Sequence, residues 1–299
     1  MMMKKFSIGY FADGPWSHHA LDLLLADESL EVKFVVPRRD TKDDILKGLA
    51  LSNKIDYLEG VLLNSNEFFL KASNYNCDLF VSMSYNQIFK NRITNLPPYK
   101  TINCHAGKLP FYRGRNILNW VLINDEKEFG ITVHYIDEGI DTGDIITQKT
   151  FPISDNDNYK SLLTVAFVEC GNLLYQAIKL IQSGNANPVP QRSIHPVGFY
   201  CGIRGEGDEV INWNQSSREV FNFIRSVCSP GPVARTSLNG QEIKINKSVL
   251  ISNAPDYKCI PGQVVGKTND GYIVKTLDSS LEVLELETSV KIKIGDRFK

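Results

Sequence analysis

The stretch Thr101–Gln148 reads TINCHAGKLPFYRGRNILNWVLINDEKEFGITVHYIDEGIDTGDIITQ, and its pattern decides the fold class. Its first residues predict a short strand, whose alternation places Asn103 and His105 on one face and turns Cys104 to the other. The later pattern predicts a loop over 106–114, a helix over 116–124, a strand over 130–136 and a tight turn over 138–143. That turn carries Asp141. Polar side chains are thus expected at strand ends, the edge where α/β sheets bind their ligands.

These three polar side chains suit acyl transfer to an amine. The carboxamide of Asn103 can donate hydrogen bonds to a carbonyl oxygen that becomes an oxyanion. A neutral His105 can accept the proton of an attacking amine, while the carboxylate of Asp141 orients the imidazole and balances its charge. The chain has no Gly-x-Ser-x-Gly motif, and Cys104 is expected to face away from His105. The sequence therefore predicts direct transfer between two bound substrates.

Several motifs in this stretch resemble the formyltransferase family that uses 10-formyltetrahydrofolate. They are Asn-x-His, Leu-Pro-x-Tyr-Arg-Gly, Asn-Trp-Val-Leu, Gly-Ile-Thr-Val-His and Ile-Asp-Thr-Gly-Asp. Members of the family formylate methionyl-tRNA, glycinamide ribonucleotide or amino sugars on nucleotide carriers. Matched position by position, the resemblance implies that Asn103, His105 and Asp141 are the catalytic residues.

Composition indicates an ordinary globular protein. The 299 residues are 42% hydrophobic and 22% charged, and the formal net charge of -1 does not favour a general nucleic-acid binder. The six cysteines are scattered singly, which predicts reduced thiols rather than a metal site. The apolar run over 6–11 is typical of a first strand, not of a signal peptide, and no apolar segment is expected to be long enough to cross a bilayer. We therefore expect a cytoplasmic protein.

The fold class predicted is α/β: a Rossmann-like, mostly parallel sheet followed by a small β-rich, open barrel-like domain. We expect a catalytic domain over 1–184, a linker over 185–199, and a helix plus a small antiparallel β domain over 200–299. The patterns predict strands over 6–11, 32–36 and 78–82, and helices over 17–26, 41–51, 66–74, 158–183 and 216–228. Ser216 and Glu219 predict a capping box at the last helix. After it, turn residues such as Asn239-Gly240 and Pro261-Gly262 separate short strands.

The resemblance implies where the folate would bind. In the family, the loop after the strand over 78–82 walls the pteridine pocket, largely with backbone groups. Together with the Asp141 turn, the implied folate-binding residues are Ser84, Tyr85, Asn86, Gln87, Ile88, Asp137, Gly139 and Asp141. Asn86 stands where several relatives have Gly. No metal is expected, because the spacing of Asp137, Asp141 and Asp144 matches no known metal-binding loop.

Candidate residues for the acceptor substrate are spread along the chain. The loop after the first strand lacks Gly-x-Gly-x-x-Gly, so we do not expect NAD there. Resemblance to sugar formyltransferases suggests that this loop borders the sugar, and the alternative is an ordinary strand-to-helix turn. The implied substrate-binding residues are Asp13, Gly14, Trp16, Lys108, Tyr112, Tyr200, Arg204 and Arg225. In the aminoarabinose enzymes the segments that match Arg204 and Arg225 approach the nucleotide diphosphate. Tyr200 and Trp213 could stack on a base, and the alternative for one of them is a position in the core.

Two further residues carry open alternatives. Arg113 could bind phosphate through its guanidinium fork or hold the loop with a salt bridge. His134 is more consistent with structural hydrogen bonding than with chemistry. His195, in the expected linker, is given no function.

Two features of the sequence bear on the choice of acceptor. Asn119-Trp120 and Ala106-Gly107 resemble the enzymes for nucleotide-linked amino sugars, and Arg38 and Arg39 are followed closely by acidic residues. We therefore expect a formyltransferase that acts on dTDP-4-amino-4,6-dideoxyglucose for surface polysaccharide such as O-antigen. We expect it to work as a homodimer without nucleic acid or membrane partners. The alternatives are a methionyl-tRNA formyltransferase, or a non-catalytic folate- or nucleotide-sugar-binding protein on the same scaffold.

Overall fold

The structure, a computed structural model, describes residues 4–299 and divides into two compact units. The first unit contains the residues up to Gly114, Phe129–Phe151 and Thr164–Tyr200. The second contains Arg115–Glu128, Pro152–Leu163 and Cys201–Lys299.

Strands and helices alternate along the first half of the described chain, and strands predominate near its end. The strands are β1 (Phe6–Ala12), β2 (Leu30–Pro37), β3 (Asp56–Tyr57), β4 (Leu79–Met83), β5 (Thr101–His105), β6 (Arg113–Gly114), β7 (Glu128–Tyr135), β8 (Ile145–Pro152), β9 (Tyr200–Cys201), β10 (Ala234–Leu238), β11 (Gln241–Leu250), β12 (Val264–Lys267), β13 (Gly271–Lys275) and β14 (Ser280–Glu287). The helices are α1 (Pro15–Ala26), α2 (Asp44–Ser52), α3 (Asn66–Asn74), α4 (Asn91–Thr94), α5 (Ile117–Ile123), α6 (Tyr159–Gln182), α7 (Gln191–Ile194) and α8 (Ser217–Val227).

A seven-stranded sheet organises the first unit, in the order β3-β2-β1-β4-β5-β7-β8. The strands β3, β2, β1, β4 and β5 are parallel, and β7 runs antiparallel to β5. After β1 the chain builds outward through β2 and β3, then returns to the other side with β4. The carboxyl ends of β1 and β4 therefore flank the point where the strand order reverses, which is the usual ligand position in such sheets. The predicted mostly parallel α/β fold is confirmed.

Central strands of this sheet are buried along their full length. Every residue of β1 and β4 is buried, as expected where both faces of a parallel sheet are covered. Gly9 permits this packing, since a Cβ there would lie 2.5 Å from the ring of Phe34 and 2.7 Å from that of Phe80. The aromatic residues in the middle of the sheet thus require a glycine beside them.

Helix α2 begins later than the sequence indicated. We expected it to start at Thr41, but Asp43 is the N-cap, and its carboxylate accepts a hydrogen bond from the Leu46 N–H at 2.9 Å. The hydroxyl of Thr41 instead donates to Asp13. An aspartate is as good an N-cap as a threonine, so the capping pattern alone did not identify the start.

Helix α6 corrects the expectation that no segment could cross a bilayer. By length and composition this 24-residue helix is long and apolar enough to do so, and half of its most apolar window is buried within the protein. The buried side chains recur at helical spacing on one stripe: Leu163, Ala166, Cys170, Leu173, Leu174, Ala177, Ile178 and Ile181. A stripe of this kind is typical of a helix that packs against a protein core.

A five-stranded antiparallel sheet, in the order β10-β11-β14-β13-β12, forms the β-rich part of the second unit. Helix α8 contributes Val220, Ile224 and Val227 to the core of this unit. The predicted capping box is confirmed: Ser216 and Glu219 each bond the other's backbone N–H. The small antiparallel domain expected after the linker is therefore present.

Candidate active site

Strand β5 presents the two polar side chains that the sequence indicated. Cys104 lies between them, buried, and its thiol approaches the carbonyl of Cys170 on α6 at 3.5 Å, so it turns away as expected. Because β5 pairs with β7, Asn103 lies directly opposite His134 and His105 opposite Thr132. Cross-strand partners of this kind have neighbouring side chains. The register therefore brings a second imidazole to the site.

His105 is buried and held in one orientation. Its Nε2 donates to the carbonyl of Tyr112 at 2.7 Å, since a carbonyl oxygen can only accept. A neutral ring thus carries its lone pair on Nδ1, which lies 3.6 Å from Oδ2 of Asp141. Gly107 leaves room for this ring, because a Cβ there would be 2.4 Å from Nε2. The geometry makes Nδ1 the atom that can accept a proton.

Asp141 lies on a turn in the left-handed region, with φ of 53°, and its side chain is only 12% exposed. Oδ2 accepts the N–H of Gly114 at 2.9 Å, and Oδ1 lies 3.4 Å from Nε2 of His134. Burial raises the pKa of this carboxyl, but His105, His134 and the Gly114 N–H together outweigh burial and hold the pKa well below its ordinary value of 3.8. Asp141 is therefore ionised at neutral pH.

His134 connects the carboxylate to the amide. Its Nδ1 donates to the carbonyl of Tyr135 at 2.8 Å, and its Nε2 lies 3.4 Å from both Asp141 Oδ1 and Asn103 Nδ2. Structural hydrogen bonding was expected of this histidine and is confirmed. Its partners are themselves candidate catalytic residues, which the sequence did not indicate. Since Nδ1 carries the hydrogen in a neutral ring, Nε2 can then accept from the Asn103 amide and orient it, whereas a protonated ring donates from Nε2 to Asp141 instead.

The arrangement combines a hydrogen-bond donor, a proton acceptor and an anion. Asn103 has two amide hydrogens, so a bond to His134 leaves one to donate elsewhere. His105 can take up a proton on Nδ1, and the Asp141 anion beside it stabilises the resulting imidazolium. This chemistry suits attack of an amine on a carbonyl carbon. Within residues 4–299, no group of three or more His, Cys, Asp or Glu side chains is arranged to hold a metal ion.

Family comparison agrees with this chemistry. The family described as "Formyl transferase" matches residues 17–178, and "Formyl transferase, C-terminal domain" matches residues 205–296. The chain belongs to the formyl transferase family. Similar sequences include methionyl-tRNA formyltransferases of Clostridium novyi, 33% identical over 81% of this chain and 77% of that protein, and of Clostridioides difficile, 29% identical over 92% and 91%.

Solved structures show the same fold. A sugar 3N-formyl transferase, solved in the presence of dTDP and 5-N-formyl-THF, matches with a TM-score of 0.71 at 24% identity, over 97% of this chain and all of that one. The N-formyltransferase of Helicobacter canadensis, in complex with folinic acid and dTDP-3-aminofucose, matches with a TM-score of 0.66 at 22% identity, over 95% of this chain and all of that one. At these identities the likeness concerns the fold of this formyl transferase.

The predicted folate loop, Ser84–Ile88, follows β4, the strand beside β5. Its side chains are largely committed to the protein. The amide of Gln87 donates to the Val61 carbonyl at 2.9 Å and to the Tyr85 hydroxyl at 2.7 Å, and Asn86 donates to Asp40 at 2.9 Å. Burial raises the pKa of the Tyr85 hydroxyl, whose ring packs in the aromatic core. Ser84 has φ of 56°, and Ile88 is exposed. A ligand at this loop would meet its backbone and Ile88 more than its other side chains.

Asp137 and Gly139 shape the turn that carries Asp141. The carboxylate of Asp137 accepts the Gly139 N–H at 3.0 Å and also bonds the Thr142 hydroxyl. A Cβ on Gly139 would meet the same hydroxyl at 2.1 Å. Asp137, expected to bind folate, is thus engaged within its own turn.

The loop after β1 is tightly bonded within the first unit. Asp13 is buried and accepts from Thr41, and the N–H of Gly14 donates to Asp43 at 2.7 Å. Trp16 packs edge-on against Phe167, with ring centroids 4.8 Å apart. These contacts describe a well-held strand-to-helix turn, the alternative that the sequence left open.

Three other residues predicted to bind the acceptor lie near the loop after His105. Tyr112 is buried, has φ of 55°, and contributes its carbonyl to His105 rather than an exposed ring. Lys108 lies against Gly130, where a Cβ would be 2.6 Å from the Lys108 Cβ. Tyr200 is 55% exposed, and the guanidinium of Arg113 lies 5.5 Å from its ring centre. Tyr200 is thus the most accessible of the three.

The two predicted arginines of the second unit differ. Arg225 is buried, and its guanidinium donates to the Asn222 side chain and to the carbonyls of Ser154 and Asp157. These contacts engage the guanidinium within its own unit, and the substrate contact of Arg225 stays a prediction. Arg204 lies at a 380 Å³ cavity, against the rings of Trp120 and Phe223.

Gln191 lies in the segment that the sequence predicted only as a linker, and no role was expected of it. Its side chain is buried and bonds Arg113 and the carbonyls of Asp141 and Gly143. A Pro-Gln pair at the start of a short helix gives no local signal of such contacts, because the partners are about fifty and eighty residues away in sequence.

Proposed function

We propose that this protein transfers the formyl group of 10-formyltetrahydrofolate to the amino group of a nucleotide-linked amino sugar, with dTDP-4-amino-4,6-dideoxyglucose as the first acceptor to test. One observation carries the transfer chemistry: Nδ1 of His105 lies beside an ionised Asp141, on the strand that also presents Asn103. Membership of the formyl transferase family supports the same reaction type.

Each residue has a definite task in this proposal. Asn103 donates a hydrogen bond to the formyl oxygen as negative charge develops on it. His105 accepts the proton of the attacking amine on Nδ1 and can return it to the departing nitrogen. Asp141 stabilises the imidazolium, and the Tyr112 carbonyl fixes the tautomer. Bound folate supplies the formyl group, and the loop Ser84–Ile88 would hold it mainly through backbone groups.

The charge pattern favours a small acceptor over a nucleic acid. Formal net charge is -1, whereas a protein that binds a polyanion needs unpaired cations on its surface. The guanidinium of Arg38 is paired with Asp40 by two hydrogen bonds, at 3.0 and 2.8 Å. In the second unit Arg218 is paired with Asp125 and Asp155. These arginines are partly neutralised.

A second candidate acceptor is methionyl-tRNA. It is favoured by the similar sequences, 29% to 33% identical, that are named methionyl-tRNA formyltransferases. Formylation of either acceptor would use the same transfer chemistry at Asn103, His105 and Asp141. The two proposals differ only in the molecule that carries the amine, a nucleotide-linked sugar or a tRNA.

A competition assay distinguishes the two acceptors. The purified protein would be given 10-formyltetrahydrofolate with dTDP-linked and UDP-linked amino sugars or with methionyl-tRNA, and kcat/KM would be compared. We expect the largest kcat/KM for a dTDP-linked 4-amino sugar. A larger kcat/KM for methionyl-tRNA would favour the second candidate, and no transfer to any amine would favour a binding protein on this scaffold.

A further inference from the structure

We propose that Gln191 is a positioning residue that holds the two backbone segments flanking His105, and that turnover depends on it. The inference rests on the proposed roles of Asp141 and His105. One segment is the Asp141 turn, and the other is the loop Tyr112–Gly114.

The carboxamide of Gln191 is fully used. Its oxygen accepts from Nε and Nη2 of Arg113, at 3.1 and 2.6 Å, and its nitrogen donates to the carbonyls of Asp141 and Gly143, at 2.9 and 2.8 Å. A primary amide has two donor hydrogens and an oxygen with two lone pairs, so all four positions are occupied. The side chain is only 3% exposed, although the next residue, Arg192, is exposed. Burial and saturation together indicate a fixed contact.

The partners of Gln191 include or adjoin the residues that contact His105. Arg113 lies between Tyr112, whose carbonyl accepts from His105, and Gly114, whose N–H donates to Asp141. On the other side, Gln191 bonds the carbonyl of Asp141 itself. The amide of one residue thus joins the loop that fixes the imidazole to the turn that carries its counter-ion.

Both segments need such restraint. Tyr112 has φ of 55° and Asp141 has φ of 53°, the left-handed region that non-glycine residues occupy only at an energetic cost. Residues in this region persist where surrounding contacts hold them. Gly143 adds to the constraint, because a Cβ there would lie 1.9 Å from the Tyr135 carbonyl. The hydrogen bonds from Gln191 to the carbonyls of Asp141 and Gly143 restrain the same turn through a side chain.

Gln191 itself is anchored from the preceding residues. Val189 and Ile145 exchange backbone hydrogen bonds, Val189 N–H to Ile145 O at 2.8 Å and Ile145 N–H to Val189 O at 2.9 Å. The segment is thereby attached to the start of β8, two residues beyond Gly143. Because this segment is itself fixed to β8, the Gln191 amide can restrain the position of the Asp141 turn.

The test compares Gln191→Glu and Gln191→Met with the matched control Arg192→Ala, all in the full-length chain. Glutamate retains the acceptors for Arg113 but cannot donate to the two carbonyls, and methionine retains the length without hydrogen bonds. We expect kcat to fall about 10²-fold in both variants, since a displacement of about 1 Å has that effect, with KM for donor and acceptor changed much less. The Arg192→Ala control should match the wild type in both parameters.

A second readout does not depend on turnover. The Gly114 amide, which bonds Asp141, should lose protection from hydrogen exchange and shift its NMR signal in both Gln191 variants but not in Arg192→Ala. If the wild type transfers formyl groups and both Gln191 variants keep its kcat and its Gly114 signal, the positioning role is wrong. If the wild type formylates no acceptor, the proposed function fails, and the Gly114 signal alone decides whether Gln191 holds the Asp141 turn.

Discussion

Two polar clusters, one in each unit, contain charged groups, and they are organised differently. In the first unit, the Asp141 carboxylate is surrounded by two imidazoles and a backbone N–H. In the second unit, Arg218 and Arg225 meet Asp125 and Asp155 in ion pairs, and Arg225 also bonds two carbonyls. The first cluster pairs a carboxylate with imidazoles, whereas the second pairs carboxylates with guanidinium groups.

The pKa shifts follow the same division. Burial raises the pKa of Asp125, but the hydrogen bonds from Arg218 and Lys127 outweigh it and lower the pKa well below the ordinary value. The pKa of Asp141 is lowered as well, but its side-chain partners are histidines, which carry charge only when protonated. A lowered carboxyl pKa therefore does not by itself identify a catalytic site. The Asp43 carboxyl, whose pKa is also lowered with His18 among the causes, shows that a histidine partner does not identify one either, so the assignment of Asp141 rests on Asn103 and His105 beside it.

The largest effect should come from removing the proton acceptor of the first cluster. His105→Asn keeps a polar side chain but has no group that can accept the proton, and we expect turnover to fall about 10²–10⁴-fold. Steady-state kinetics with the preferred acceptor measures this fall in turnover, and folate binding by the variant serves as the control for its folding. A folded variant with near wild-type kcat would remove His105 from the mechanism.

Next in size is the loss of the amide donor. Asn103→Ala should lower turnover about 10²–10³-fold, because a donor to the developing oxyanion is lost. Asn103→Asp should be slower still, since a carboxylate repels that charge. If kinetics show the Asp variant to be faster than the Ala variant, the donor role is incorrect.

In the second cluster we expect an effect on stability instead. Arg225→Met removes hydrogen bonds to the Ser154 and Asp157 carbonyls and should lower the free energy of unfolding by about 1–3 kcal/mol. Urea denaturation measures this change, and kcat of the folded fraction should remain unchanged. A large rise in KM for the nucleotide sugar, with unaltered stability, would return Arg225 to the substrate site.

The smallest effect concerns pH. The folded pKa of Asp141 lies below its unfolded value of about 3.8, so its ionised form stabilises the folded state above about pH 4, and that stabilisation is lost as pH falls toward the folded pKa. Asp141→Asn removes this contribution. Between about pH 5 and pH 3, the unfolding free energy of the wild type should therefore fall more steeply than that of the variant. Parallel pH dependences of the unfolding free energy in wild type and variant would show that folding does not lower the pKa of the Asp141 carboxyl.

Sequence patterns predicted the features that depend on local structure. Strand alternation placed Asn103 and His105 together and turned Cys104 away, and the Ser216/Glu219 pattern located the start of α8. His134 reached the site only through the register of β5 against β7, which no local pattern specifies. The contacts of Gln191 and the burial of Arg225 depend on residues far away in sequence, which explains why local patterns indicated neither.

The central claim is that Asn103, His105 and Asp141 transfer a formyl group to an amine. The most direct measurement is a reaction of the wild type and of His105→Asn with 10-formyltetrahydrofolate that carries a ¹³C-labelled formyl group, in the presence of dTDP-4-amino-4,6-dideoxyglucose. We expect mass spectrometry to find the labelled formyl group on the sugar nitrogen with the wild type and only a trace with the variant. Equal labelling by both proteins, or no labelling of any amine by the wild type, would contradict the account.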